Sequence, residues 1–184
     1  QGFFDGPVDH LWAMPVLVDY VRSRVDLSNV CMVSPDAGRI RVAEKWSAKL
    51  GGCPLAFVHK TRDTTRPNVA VANRVVGDVA GKQCVMVDDM IDTAGTISEA
   101  VKVVMNAGAS SVIVAATHGI LSDPAAQRLS ECGAQEVIVT DTLPIALEKR
   151  FDKLTILPIA PLLARAIREV FDDGSVTSLF DGVA

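Results

Sequence analysis

The segment Val85-Met86-Val87-Asp88-Asp89-Met90-Ile91-Asp92-Thr93-Ala94-Gly95-Thr96 gathers reactive side chains in an order that chemistry can use. An apolar strand ends in two adjacent acids, and a turn of small residues then runs into a helix. Beyond the carboxyl edge of a parallel strand lies the crevice where ligands bind, and the next helix offers an anion free N–H groups and the positive end of its dipole. Thr93 and Thr96 add hydroxyl donors, and Gly95 lets a ligand approach the backbone closely. Asp88 and Asp89 would repel a phosphate, so they suit sugar hydroxyls or a hydrated divalent cation instead. Taken singly, each residue reads as a solvated acid or a helix cap. Taken together, they predict a site for a phosphorylated ribose.

Two further segments have chemical potential. Ser34-Pro35-Asp36-Ala37-Gly38-Arg39 stands where another strand turns into a helix, a second phosphate-ready geometry with an acid added. Residues 60–68, Lys-Thr-Arg-Asp-Thr-Thr-Arg-Pro-Asn, are polar and basic without periodicity, which predicts a mobile loop after a core strand. An isolated Lys-x-Arg is usually solvated. Facing two phosphate turns, Lys60 and Arg62 are instead candidates to close over a transferring phosphoryl group, stabilising its spreading charge and excluding water. His10 and His59 read as packing or loop residues; His118 follows a strand and could reach a sugar, with a capping or structural role as an equal alternative.

Positioning these groups requires a sheet whose strand ends lie on one edge. Short β-branched runs at 29–34, 55–59, 69–76, 83–88, 111–117, 136–140 and 154–158 alternate with amphipathic stretches. That pattern predicts an α/β fold, a doubly wound and mostly parallel sheet with helices on both faces. Pro15 opens a helix over 15–25, Gly51-Gly52 closes one over 39–50, and Pro124 and Pro161 open two more. The chain's 184 residues, 49% hydrophobic, suffice for one sizeable core. A net charge of −4 argues against nucleic acid or anionic membrane as partner, so any phosphate site must be local. Cys31, Cys53, Cys84 and Cys132 are too scattered for a zinc site and read as reduced core thiols. No apolar run approaches a membrane span, which points to a cytoplasmic protein.

Set side by side with known families, the Asp88 to Thr96 segment resembles the phosphoribosyl pyrophosphate signature of the type I phosphoribosyltransferase fold. Gly2-Phe3-Phe4-Asp5 with Pro7-Val8-Asp9-His10-Leu11, the Asp36 turn, the Lys60/Arg62 loop, Ala116-Thr117-His118-Gly119 and Ser175-Val176-Thr177-Ser178-Leu179-Phe180 resemble ribose-phosphate pyrophosphokinases in particular, actinobacterial members above all. The resemblance implies that residues 1–184 are the C-terminal of two similar domains, in keeping with an opening Gln1-Gly2 that reads as the interior of a longer chain. It implies Mg2+ as cofactor, ATP and ribose 5-phosphate as substrates, and a homo-oligomer built of dimers, a hexamer at full length. It implies that Lys60 and Arg62 are catalytic, that Asp36 helps hold the metal, and that Asp88, Asp89, Asp92, Thr93, Ala94, Gly95 and Thr96 bind ribose 5-phosphate. Ser175 and Ser178 would lie near a regulatory phosphate site between subunits.

Two alternatives share these residues. A phosphoribosyltransferase would use the same loop to consume phosphoribosyl pyrophosphate, but it should carry a hood over its base, and no segment suggests one. A regulatory relative without activity would keep the fold and lose Lys60, Arg62 or the acids, all of which are present. A dinucleotide-binding protein fits less well, because no GxGxxG follows the first strand.

Overall fold

The computed structural model describes residues 2–61 and 72–180. Seven strands form one sheet: β1 (Val30–Ser34), β2 (Leu55–Thr61), β3 (Ala72–Val76), β4 (Gln83–Ile91), β5 (Ser111–Gly119), β6 (Glu136–Thr140) and β7 (Leu154–Leu157). Their spatial order is β3-β2-β1-β4-β5-β6-β7, and every pairing is parallel except β2 with β3. The expected strand at 69–76 is therefore seen as Ala72–Val76, with 69–71 outside the described residues. Among the described residues the α-helices are α1 (Met14–Arg22), α2 (Ile40–Lys49), α3 (Gly95–Asn106), α4 (Ala125–Glu131) and α5 (Ala160–Phe171).

Alternation along the strands explains the two layers. Cys31, Val33, Cys84, Met86, Val112 and Val114 point to one face, where Ile97, Val101 and Val104 of α3 and Leu129 of α4 cover them. Val30, Met32, Val85, Val87 and Ile113 point to the other, under Leu17, Val18 and Val21 of α1 and Trp46 of α2. Strands covered on both faces read as continuous apolar runs, and β1 is buried at every position. Each such Val, Leu or Ile contributes roughly 1.5–3 kcal/mol of burial. All four cysteines are free and buried, as expected for core thiols. No helix of the described residues is long and apolar enough to cross a membrane.

Several boundaries depart from the sequence reading. Lys60 and Thr61, expected to open a loop, instead extend β2, because they pair with Asn73 and Ala72 of β3, and β5 runs on to Gly119. The first helix stops at Arg22 instead of reaching 25, because the Ser23 hydroxyl bonds back to Tyr20 O and Arg24 turns away to lie over the Tyr20 ring. The helix expected over 39–50 is preceded by a 3-10 turn, Ala37–Arg39, since the Asp36 carboxylate caps Gly38 N–H at 2.8 Å. Most consequential, β4 does not end at Asp88. It continues to Ile91, held by β5 in a register that runs through Met90↔His118 and Ile91↔Gly119.

The strand order also contains a reversal. From β1 the chain winds outward to β2 and β3, while from β4 it winds the other way to β5, β6 and β7. Between β1 and β4 the two following connections diverge and leave a crevice at the carboxyl edge, the place where open α/β sheets bind ligands.

Candidate active site

The crevice is a cleft of about 260 Å³ lined by Asp36, Arg39 and every residue from Asp88 to Ile97. Eight of the predicted site residues, Asp36, Asp88, Asp89, Asp92, Thr93, Ala94, Gly95 and Thr96, thus meet in one place. They arrive from two neighbouring strands. β1 pairs with β4 through Val33↔Met86, so β1 has already turned into the Asp36 loop where β4 runs on through its acids. Lys60 lies on β2, which is parallel to β1 and ends on the same edge, and Arg62 lies outside the described residues.

The turn after β4 is fixed by backbone anchors. Ile91 O accepts hydrogen bonds from Ile120 N at 3.0 Å and Leu121 N at 3.1 Å. Ala94 adopts the left-handed conformation at φ 59°, which costs a non-glycine residue about 1 kcal/mol or more and persists only where the surroundings enforce it. Helix α3 starts at the next residue with no side-chain cap, so its first N–H groups are not bonded by a capping side chain, and Gly95, Thr96 and Ile97 line the cleft. Arg128 of α4 donates to Thr93 O at 2.9 Å and brings a positive charge beside the turn. Arg128→Ala is expected to weaken ribose 5-phosphate binding roughly five- to tenfold, through loss of one charge-assisted bond and of loop order. Calorimetry on the chain measures it; an unchanged Kd would show that the loop holds itself.

Both acids are paired, Asp88 with its side chain 16% exposed and Asp89 with its side chain 44% exposed. Arg39, at the end of the 3-10 turn, places Nε 3.1 Å from Asp88 Oδ1 and a terminal nitrogen 2.6 Å from Asp89 Oδ2. Asp89 N–H also donates to Asp88 Oδ1 at 2.9 Å, and Met90 N–H donates to Asp89 Oδ1 at 2.9 Å. Burial pushes Asp88 up to about 6, against the lowering pull of the Asp89 N–H and of Arg39. Burial pushes Asp89 up as well, but hydrogen bonds to Asp88 and Arg39 and the charge of Arg39 outweigh it, so Asp89 lies below the usual carboxylate range. The pair thus divides into a carboxyl that resists ionisation and one that favours it.

Among the described residues no three Asp, Glu, His or Cys side chains converge as a metal cage. The donor set fits a hard cation of a different kind. A hard divalent cation that keeps several waters can be held by one or two carboxylates, and Asp36, Asp88 and Asp89 bring carboxylate oxygens to this cleft. His118, at the end of β5, has Nδ1 2.8 Å from the Thr142 hydroxyl.

Sequence reasoning missed Arg39 and Arg128. Arg39 closes the segment already singled out, and its pairing becomes readable only once β1 is known to neighbour β4. Arg128 stands 35 residues from Thr93 and carries no local signal.

The family model described as the phosphoribosyl synthetase-associated domain matches residues 53–181. A ribose-phosphate pyrophosphokinase of Bifidobacterium longum is 72% identical over 183 residues, which cover 98% of this chain and 54% of that protein. The crystal structure of phosphoribosylpyrophosphate synthetase from Mycobacterium smegmatis superposes with a TM-score of 0.84 at 59% identity, covering 95% of this chain and 55% of that one. Orotate phosphoribosyltransferase from Aeropyrum pernix shares the fold alone, at a TM-score of 0.51 and 17% identity over 82% of this chain and 74% of its own. The chain spans about half the length of the curated relatives it matches. Since the matched region takes in the acid pair, the phosphate turn and the strands that carry them, the chain belongs to the phosphoribosyl synthetase-associated domain family and has the type I phosphoribosyltransferase fold.

Proposed function

We propose that residues 1–184 form the C-terminal, sugar-phosphate half of a cytoplasmic ribose-phosphate pyrophosphokinase that transfers the pyrophosphoryl group of ATP to the 1-hydroxyl of ribose 5-phosphate. The observation that supports this best is the cleft between β1 and β4, where a phosphate turn, an acid pair and a second acidic turn share one wall. The turn from Asp92 to Thr96 holds the 5-phosphate with the N–H groups of α3 and the threonine hydroxyls. Asp88 and Asp89 orient the ribose hydroxyls, directly or through a cation. The anomeric hydroxyl oxygen attacks the β-phosphorus of ATP and gives up its proton to solvent, the bond from that phosphorus to the oxygen bridging to the α-phosphate breaks, and AMP leaves with that oxygen. Mg2+, when bound, neutralises the phosphate oxygens, and Asp36 is the residue of this chain assigned to it. Lys60 and Arg62 close over the transferring group and stabilise its charge. Most of this is positioning.

The remaining half of the relatives' length is expected to supply the adenine pocket, and dimers assembling into a hexamer complete the nucleotide site. The test is AMP formation from Mg-ATP, with and without ribose 5-phosphate, by this chain joined to the upstream half of the Bifidobacterium longum relative. AMP that appears only with the sugar phosphate supports the assignment. No AMP despite calorimetric binding of ribose 5-phosphate would make the chain a regulatory relative.

A further inference from the structure

Arg39 has no part in the roles assigned above, yet it bonds both acids of the pair. Its guanidinium spans two different carboxylates, 3.1 Å from Asp88 Oδ1 and 2.6 Å from Asp89 Oδ2. A fork that bonds two acids at once does for them what a divalent ion does: it cancels the repulsion between neighbouring negative charges and fixes their separation. Asp36, Asp88, Asp89 and Asp92 line the same cleft, and Arg39 is the one basic residue among the described residues that line it. With its side chain 37% exposed, Arg39 is open to solvent on one side.

We propose that Arg39 is a built-in counter-cation that competes with a divalent ion for the Asp88/Asp89 pair, so that the ion gains these carboxylates only as the guanidinium swings away. This inference rests on assigning the acid pair to sugar hydroxyls or a cation. The consequence is a site that holds a free divalent ion weakly while it is empty. An incoming phosphate gives the displaced guanidinium a new anionic partner, which couples entry of the ion to entry of the anionic substrate.

Mn2+ titration of the chain, followed by electron paramagnetic resonance of the free ion and without ATP or sugar, tests the proposal. Arg39→Ala and Arg39→Gln are both expected to bind Mn2+ at least roughly tenfold tighter than the unsubstituted chain, because a competing charge is gone. Arg39→Lys keeps the charge and is expected to remain within about threefold of the unsubstituted chain. In the Arg39→Gln background, Asp88→Asn with Asp89→Asn should remove the gain. Unchanged or weaker Mn2+ binding by neutral variants of native circular dichroism would overturn the proposal and make Arg39 a residue that holds the acids ready for the ion. A gain that survives loss of the acids would overturn it too, by placing the ion elsewhere. Since neither ATP nor sugar is present, a failure here is distinct from failure to form AMP.

Discussion

Lys60→Ala is expected to lower kcat for AMP formation by roughly 10²–10³-fold, the usual effect of removing one preorganised charge from a transition state. The dissociation constant for ribose 5-phosphate should stay within about twofold. The reason is position. β2 is parallel to β1 with Ser34 opposite Phe57, so Lys60 lies three residues further along, on the carboxyl edge where the Asp36 turn begins. The acid pair lies one strand beyond, on β4. On the proposed reading, a lysine on that edge serves the polyphosphate, where charge builds up during transfer, and the turn after β4 serves the sugar phosphate. Steady-state AMP release by the chain joined to the upstream half of a relative, set against calorimetry with ribose 5-phosphate, separates the two quantities. Equal losses in binding and turnover would remove Lys60 from the chemistry and make it a substrate-holding cation.

The second large effect has opposite signs for stability and binding. Asp88 carries a carboxyl whose ionisation is pushed from 3.8 up to about 6, with burial as the main cause. A group raised in the folded state contributes stability below its unfolded value and loses it as pH rises through its folded value. At neutral pH the ionised Asp88 therefore costs on the order of 1–3 kcal/mol. Asp88→Asn should raise Tm at pH 7.5, by about 2–4 °C for each kcal/mol recovered. That advantage should shrink as pH falls from 6 toward 4. Asp89 behaves in the opposite way, because its carboxyl lies below the usual range and its stabilising contribution fades only in stronger acid. Ribose 5-phosphate affinity should fall at least roughly tenfold in Asp88→Asn if that carboxylate orients the sugar hydroxyls. Scanning calorimetry across pH and binding calorimetry at pH 7.5 read both effects. A lower Tm would mean that the Arg39 bond outweighs the cost of burial; unchanged binding would move the sugar contact to Asp89. A residue that weakens the fold while serving a ligand is what a functional site selects.

Much of this site was legible because it is local. The acids, threonines and glycine of the phosphate turn occupy one continuous segment, and an apolar strand before it with a helix after it places them at a sheet edge whatever the rest of the chain does. The α/β class was equally legible, since short β-branched apolar runs alternate with amphipathic stretches along the chain. Strand order is another matter. That β1 lies against β4 is decided by how the whole chain winds, and on that adjacency depend the cleft itself, the Arg39 fork and the meeting of Asp36 with Asp88 and Asp89. The same holds for the end of β4. Its sequence turns polar at Asp88, which reads as the end of a strand, but pairing with β5 keeps it extended to Ile91 and buries a carboxyl that looked solvated. By itself the sequence determined which acids, hydroxyls and backbone turn this protein gathers in one segment, because propensity and periodicity act over neighbouring residues. Only the tertiary structure decided which groups face one another and at what cost in ionisation, because Coulomb energy and desolvation depend on distances and burial across strands that the chain connects only after long excursions.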